Sequence, residues 1–266
     1  MKIAEIDHGG EFDWGRTSDD YAKYRDIYPA EFFHKLVECG LCIAGQEVLD
    51  LGTGTAVLPR MLHAHGARFT GLDIAPQQLA AAERLCAEAG VEITLVRSKA
   101  VEADFPPASF DAVTACQCFA YFDHARLAPR LHRWLKPGGR FAVLYMGWLT
   151  AEDPLARASE ELVQKHNPLW NGAELPRHPV IIPPEYPKYF TVEHEMVFDM
   201  RVPFTREGWN GRIRSCRGIG ASLPPDKVAA FDREHRALLE RIAPESFTVA
   251  HYGAVTVFRA RADVGD

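Results

Sequence analysis

"VLDLGTGTAVLP", residues 48–59, runs from apolar residues through Asp50 into alternating glycines and threonines, then returns to apolar residues. The run "EVLDLG" reads as a short buried strand, and "AVLPRMLHAHG" (56–66) as the helix that follows it, stopped by Gly66. In open parallel sheets the loop between such a strand and helix lies where ligands bind, beyond the carboxyl ends of the strands. Gly52 and Gly54 can adopt positive φ there and carry no Cβ to hold a ligand off the backbone.

The pattern continues outward. "RFTGLDI" (68–74) is a second strand, followed by the alanine-rich helix "APQQLAAAERLCAEAG" with its glycine stop. "VEITLVRS" and "FDAVTACQ" read as the third and fourth strands, "HARLAPRLHRWLKPGG" as a helix, and "RFAVLYMGW" as the fifth strand. Strands alternating with helices of this length imply a parallel sheet with right-handed crossovers and helices on both faces. The alternation breaks at residue 149. A helical stretch, "PLARASEELVQKHN", leads into a segment with six prolines up to Pro187, which reads as an ordered excursion over the surface. Beyond it come "FTVEHEMVFDMRVPF" as a strand, helices at "TREGWNGRIRS" and 225–242, and a last strand near "YGAVTVFRAR". In the 225–242 helix, Val228, Phe231, Leu238, Leu239 and Ile242 mark the face expected to pack on the core.

The 266 residues are 47% hydrophobic and 25% charged, with a net charge of −6. That balance disfavours nucleic acid as the main partner, because such binding rests on neutralising phosphates. No stretch has the ~20 apolar residues of a membrane span, and the N-terminus has no signal-peptide core, so a cytoplasmic protein is expected. The six cysteines lie mostly in apolar runs and read as reduced thiols. Cys39 and Cys42 form a C-x-x-C with no second pair, so no metal site is expected.

The second strand ends at Asp73, about 20 residues after the glycine loop, the spacing at which a carboxylate meets the ribose hydroxyls of an adenosine cofactor. Capping the helix that begins near Pro76 is its structural alternative. A dinucleotide needs a third glycine three residues beyond Gly54, where this chain has Val57, and Asp50 within the loop would repel a pyrophosphate. The same carboxylate suits a cofactor with an amino group and a sulfonium.

"VLDLGTGTAVLP", "GLDIAPQQLAAA", "FDAVTACQ" and "LKPGGRFAVL" resemble, in order and spacing, the successive motifs of the class I S-adenosylmethionine-dependent methyltransferases. "YAKYRDIYP" (21–29) and "FTREGWNGRIRSCRGIGASLP" are similar to segments of the small-molecule group related to the trans-aconitate and thiol methyltransferases, with Asp26 in place of that group's proline. The resemblance implies an α/β, Rossmann-like sheet of seven mostly parallel strands in the order 3-2-1-4-5-7-6, the seventh antiparallel. It implies a single domain over 1–266, with an N-terminal helical cap at 1–40 and a substrate-side lid at 149–190. Ala56 stands where many members carry a third glycine.

Carried onto this chain, the resemblance gives a cofactor set of Tyr24, Arg25, Asp50, Gly52, Thr53, Gly54, Asp73, Ile74, Ala100, Val101, Glu102, Cys116 and Gln117. Within it Asp50 serves the methionine portion, Asp73 the ribose, Ile74 and residues 100–102 the adenine, and Cys116 and Gln117 border the sulfonium. Thr53 and Thr55 are expected as turn and helix-cap residues. Tyr21, Tyr24, Arg25 and Tyr28 are spaced to share one helix face, as a lid whose arginine pairs with a carboxylate of cofactor or substrate. The acceptor side falls to Tyr21, Tyr28, Tyr121, Trp148 and Trp170, with Tyr121 as the catalytic candidate. Ala120 replaces the histidine of related sequences, leaving His34, His124 and His166 as other acid–base candidates and favouring an acceptor that ionises easily.

The expected function is in-line methyl transfer from S-adenosyl-L-methionine, with S-adenosyl-L-homocysteine as product, to a thiol, carboxylate or hydroxyl of a small molecule. A monomer or homodimer with no membrane or nucleic-acid partner is expected. The alternatives are a non-catalytic cofactor-binding or regulatory protein on the same fold, and a methyltransferase of RNA or protein. Asp73→Ala is expected to weaken cofactor binding with little loss of stability.

Overall fold

The structure is a computed structural model that describes residues 2–173, 176–262 and 264. In chain order its elements are α1 (Ser18–Tyr24), α2 (Ala30–Glu38), β1 (Glu47–Leu51), α3 (Val57–Leu62), β2 (Arg68–Asp73), α4 (Pro76–Ala89), β3 (Ile93–Arg97) and β4 (Phe110–Cys116). There follow α5 (His124–Trp134), β5 (Leu135–Trp148), α6 (Pro154–His166), α7 (Tyr186–Tyr189), β6 (Phe190–Thr205), α8 (Arg206–Arg214), α9 (Pro225–Ile242) and β7 (Ser246–Ala260). The chain divides into two compact units. A helical unit comprises Met1–Pro29, Gly147–Arg177 and Asp199–Tyr252, and a sheet unit comprises Ala30–Met146, His178–Phe198 and Gly253–Asp266.

The seven-stranded sheet has the order β3-β2-β1-β4-β5-β7-β6, as the resemblance implies. The strands from β3 to β5 pair in parallel. β7 opposes them: Arg259, near its end, donates to the Gly138 carbonyl near the start of β5, and the Arg261 amide reaches Tyr189, just before β6. Val48, Leu49, Leu51, Ala112, Val113 and Ala115 are almost wholly buried, so β1 and β4 read as continuous apolar runs rather than alternating ones. Helix α4 shows why the segments end where they do. Pro76 opens it, where a missing amide hydrogen costs nothing, and Gly90 closes it at φ +66°. A second core lies around Tyr186, which stacks with Phe141 and Phe190 and meets Phe119 edge-on. Tyr186 and Phe190, expected in the excursion over the surface, are therefore buried.

In the helical unit, α9 spans 225–242 as its pattern predicts, but its buried stripe is Phe231, His235 and Leu239. Ile242 is exposed and Val228 half-buried, because the buried polar network of His235 pulls the stripe toward that residue. His235 bonds Asn210 Oδ1 at 2.8 Å and Ser159 Oγ at 2.9 Å. Helix α1 ends at Tyr24, so Tyr21, Tyr24, Arg25 and Tyr28 do not form one continuous helix face. Arg25 is its C-cap, and Pro29 drives the residue before it out of helical φ/ψ. Of the expected lid at 149–190, residues 149–177 fall in the helical unit and 178–190 in the sheet unit, while Glu174 and Leu175 lie outside the described residues. Among the described residues no helix is long and apolar enough to cross a membrane.

Candidate cofactor site

The glycine loop leaves β1 through three left-handed residues, Gly52 (φ +58°), Gly54 (φ +56°) and Ala56 (φ +58°). The first two are at ease there. Ala56 is strained by about 1 kcal/mol, which explains in physical terms why a glycine would suit this position. The loop is tied down by its own backbone: the Thr53 amide donates to the Leu72 carbonyl at 3.0 Å, and the Ala56 amide to Thr53 at 2.8 Å. Thr53 is thus a turn residue as expected. Thr55 is not a cap, because α3 begins after Ala56 and has no side-chain cap at all. The Thr55 hydroxyl is buried without a hydrogen-bond partner among the described residues.

Asp50 and Asp73 stand at the ends of adjacent strands but in different surroundings. Asp50 faces Gly71 on one side and Thr114 on the other, is buried, and accepts the Thr114 hydroxyl at 2.7 Å. Burial pushes its carboxyl up to about 6, against the pull of that hydroxyl. At 2% exposure it offers no open face beside the loop. Asp73 is half-buried and uses both oxygens: Oδ2 accepts the Gly54 amide at 2.9 Å and Oδ1 the Ala75 amide at 2.8 Å. The Asp73 side chain does not cap α4, whose N-cap is Ala75. It locks the glycine loop to the end of β2, and each oxygen retains lone pairs for a diol. The expectation that Asp73→Ala costs little stability is therefore corrected, since two backbone donors lose their acceptor.

Beyond Asp73, Ile74 is 42% exposed, an apolar face left open at the strand end. Ala100 and Val101 are buried in a turn, while Glu102 is exposed and paired with Lys99 at 2.7 Å. At the end of β4, Gln117 takes φ +64°, and its Nε2 donates to the Met146 carbonyl at 2.6 Å, so its side-chain amide is spent on β5. Cys116 is half-buried. Cys118, expected only as a reduced thiol, packs against the loop. Its thiol donates to the Leu51 carbonyl at 3.0 Å, and a Cβ on Gly52 would come within 2.8 Å of its Cβ. The missing side chain at Gly52 thus makes room for Cys118. A left-handed glycine paired with a small residue past the neighbouring strand was the available signal.

Tyr121 is half-buried, on the single turn of 3₁₀ helix Phe119–Tyr121. His124 meets the Tyr186 hydroxyl at 3.2 Å, and burial holds its imidazole below the usual range. His166 is engaged by Glu234 at 2.9 Å, and His34 is exposed.

The remaining candidates belong to the helical unit. The Tyr24 ring fills the space a side chain on Gly211 would need, and its hydroxyl donates to Glu207 at 2.5 Å. Arg25 is buried, its guanidinium carbon 4.4 Å from the centre of the Tyr21 ring. Tyr28 is also buried. The Trp148 indole donates to Glu160 at 3.0 Å, and Trp170 is buried against Gly218, where a Cβ would lie 2.9 Å from its ring. A cleft of about 550 Å³ in the expected lid is lined by Leu149, Thr150, Arg157, Glu160, Gln164 and Arg177, a mostly polar set without the expected tryptophans.

The sheet unit's residues fit an adenosyl group. They offer a carboxylate with free lone pairs, an open apolar side chain beside it, and a backbone loop free of projecting side chains at both glycines.

The chain is similar to known proteins. Residues 48–139 match the family described as "Methyltransferase domain". A demethylmenaquinone methyltransferase of Thermus thermophilus is 40% identical over 113 residues, 41% of this chain and 51% of that protein. A ubiquinone biosynthesis O-methyltransferase of Pseudomonas aeruginosa is 33% identical over 129 residues, 48% of this chain and 54% of that protein. The chain thus spans about half the length of these curated relatives. Among solved structures, a Haemonchus contortus phosphoethanolamine N-methyltransferase 2, in complex with phosphomonomethylethanolamine and S-adenosylhomocysteine, superposes with a TM-score of 0.52 at 21% identity. That match covers 91% of this chain and 57% of the other, and it is a likeness of fold.

Proposed function

From a chain that carries a methyltransferase domain on the class I S-adenosylmethionine-dependent fold, we infer an enzyme that methylates a small-molecule acceptor. The observation that carries this reading is Asp73, whose two oxygens bind the Gly54 and Ala75 amides at the end of β2. That arrangement holds the loop and presents the carboxylate at one point. S-adenosylmethionine, when bound, supplies an electrophilic methyl group on a sulfonium. Asp73 accepts the ribose hydroxyls through its remaining lone pairs, and Ile74 offers its exposed face to the adenine, with Ala100 and Val101 behind. Gly52 and Gly54 shape the loop toward the methionine portion, and Asp50 supports it from below. Cys116 and Tyr121 border the reacting end, Tyr121 on the acceptor side.

The chain supplies positioning and exclusion of water rather than bond-making groups, which is what in-line displacement requires. His124 is held neutral by burial and bonded to Tyr186, and so is poorly placed to serve as a strong base. An acceptor already ionised, or one that ionises easily, fits this chain better than an alcohol. The relative named as a ubiquinone biosynthesis O-methyltransferase adds phenols, as the hydroxyl class, to the thiols and carboxylic acids as acceptor classes.

The test is turnover. The protein is incubated with S-adenosylmethionine and separate panels of thiols, carboxylic acids and phenols, and S-adenosylhomocysteine is followed by chromatography. Acceptor-dependent product supports the reading. Adenosyl binding with no turnover on any panel favours a binding protein instead.

A further inference from the structure

Most histidines of the chain are held by another group. His63, His132 and His251 bond backbone carbonyls, His124 meets the Tyr186 hydroxyl, and His166 and His235 bond side chains of other elements. His34 and His65 differ. Neither makes a hydrogen bond or ion pair among the described residues, yet their ring centres lie 5.5 Å apart, with the planes at 66°.

Both belong to the sheet unit, and both stand on backbone that is firmly held. His34 lies on the open side of α2, whose Phe32, Phe33 and Leu36 are buried. His65 ends the 3₁₀ turn His63–His65, and Gly66 closes that turn at φ +87° with its amide on the His63 carbonyl. Gly66 also bridges to Ile43, and a Cβ on it would meet that of Ala44 at 3.0 Å, so the turn is pressed against the chain that leaves α2. The two imidazoles thus meet across elements whose place is set by packing. The rings themselves can still turn, because the last torsion of a histidine side chain is broad.

Their separation is that of two imidazoles on one metal ion. Zinc binds an imidazole nitrogen at about 2.0–2.1 Å, which puts each ring centre about 3.2 Å from the ion, and two such rings at a tetrahedral angle stand about 5.2 Å apart. An edge-to-face contact would also bring the rings together, but it leaves their nitrogens unused. Glu31, exposed and three residues before His34 on α2, adds negative charge on that side, while Lys35 is held by Glu38. Among the described residues no group of three histidine, cysteine or acidic side chains could hold a metal ion, so the chain supplies two ligands and water completes the shell. Imidazole suits zinc, nickel and copper, whereas magnesium and calcium take oxygen.

We propose that His34 and His65 form a two-histidine site for a divalent transition-metal ion, zinc or nickel, which clasps α2 to the turn that follows α3. The expectation of no metal site was drawn from cysteine spacing, to which this histidine pair does not belong.

The experiment uses the full chain without an affinity tag, stripped of metal with a chelator and returned to chelator-free buffer at neutral pH. Zinc, nickel and magnesium chlorides are titrated separately by calorimetry, and melting is followed with each. Wild type is expected to show a single site for zinc or nickel and a raised melting midpoint with either ion, and no response to magnesium. His34→Ala and His65→Ala should each weaken zinc about tenfold or more, since losing a ligand costs at least what losing an outer-shell partner does. His63→Ala, on the same turn but with its Nδ1 on the Arg60 carbonyl, and Cys39→Ser, at the half-exposed thiol just past α2, should bind as wild type does. Should either alanine variant fail to fold, His34→Gln or His65→Gln is read in its place. The proposal is overturned if wild type binds neither zinc nor nickel, if the His34 and His65 variants bind as tightly as wild type, or if Cys39→Ser alone abolishes binding. No adenosyl ligand takes part in these titrations, so their outcome is independent of the methyltransferase reading.

Discussion

The glycine loop of the sheet unit and the buried arginines of the helical unit solve the burial of charge in opposite ways. At the loop each carboxylate has donors: Asp50 has the Thr114 hydroxyl, and Asp73 has two backbone amides. Around Arg25 and Arg212 the neighbours are two aromatic rings, the Tyr21 hydroxyl and the Cys216 thiol. The first arrangement is complete as folded and holds a shape ready for a ligand. The second leaves the Arg212 Nε buried without a hydrogen-bond partner among the described residues.

The largest effect that would sharpen this contrast is at Asp73. Asp73→Ala should lower unfolding free energy by about 2–4 kcal/mol, since two backbone donors lose an acceptor. The same change should weaken S-adenosylhomocysteine about 100-fold through loss of charge-assisted bonds to the ribose. Urea unfolding reads the first and calorimetry the second. Wild-type stability in this variant would mean that Asp73 does not hold the loop.

The two units should also respond oppositely to acid. In the helical unit, burial lowers His235 and His251 to about 4 from the usual 6.5. Below 6.5 the unfolded chain takes up protons that the folded one refuses, so stability present above pH 6.5 is lost on the way to pH 4, of order 3 kcal/mol per histidine. In the sheet unit Asp50 is raised to about 6 from 3.8. The folded state binds that proton more tightly, so a penalty present above pH 6 is relieved as pH falls toward 3.8. Hydrogen exchange at pH 7 and pH 5 should therefore show α9 losing protection while β1 and its neighbours keep theirs. Equal loss in both units would break the comparison.

A smaller effect isolates the carboxylate itself. Asp50→Asn keeps an acceptor for Thr114 and removes the buried charge, so it should stabilise the protein by about 2 kcal/mol at pH 7.5 and by nothing at pH 4. Unfolding titrations at the two values check the sign. The smallest is Ala56→Gly. Relief of a left-handed alanine, about 1 kcal/mol, is offset by loss of a methyl from the cluster with Ala82, Cys86 and Val91 and by a freer unfolded chain. Its melting temperature should stay close to that of wild type.

The sheet and the loop were legible because their determinants are local. Strand, glycine turn and helix follow one another within 48–66, and the parallel order follows from strands separated by helices. The Asp73 carboxylate could be found by spacing, although its grip on the Gly54 and Ala75 amides could not, since those donors exist only once the turn has formed. Cys118 escaped because its partner, the bare α-carbon of Gly52, lies just past another strand. Arg25 was singled out from the 21–29 segment, whereas Arg212 was not. The acids that neutralise Arg214, Arg217 and Arg236, among them Asp7, Asp20, Glu207 and Asp232, are scattered along the chain and form no local motif. The tyrosine spacing at 21–28 misled because the three- and four-residue steps run on past Tyr24, where α1 ends.

The central claim, that the loop and Asp73 hold an adenosyl cofactor, is tested most directly by calorimetric titration of wild type and Asp73→Ala with S-adenosylhomocysteine, with NADH as control. The account predicts a single tight site for S-adenosylhomocysteine in wild type, weakened about 100-fold in the folded variant, and no heat from NADH. Equal affinity of wild type and variant for S-adenosylhomocysteine, or a wild-type preference for NADH, would contradict it.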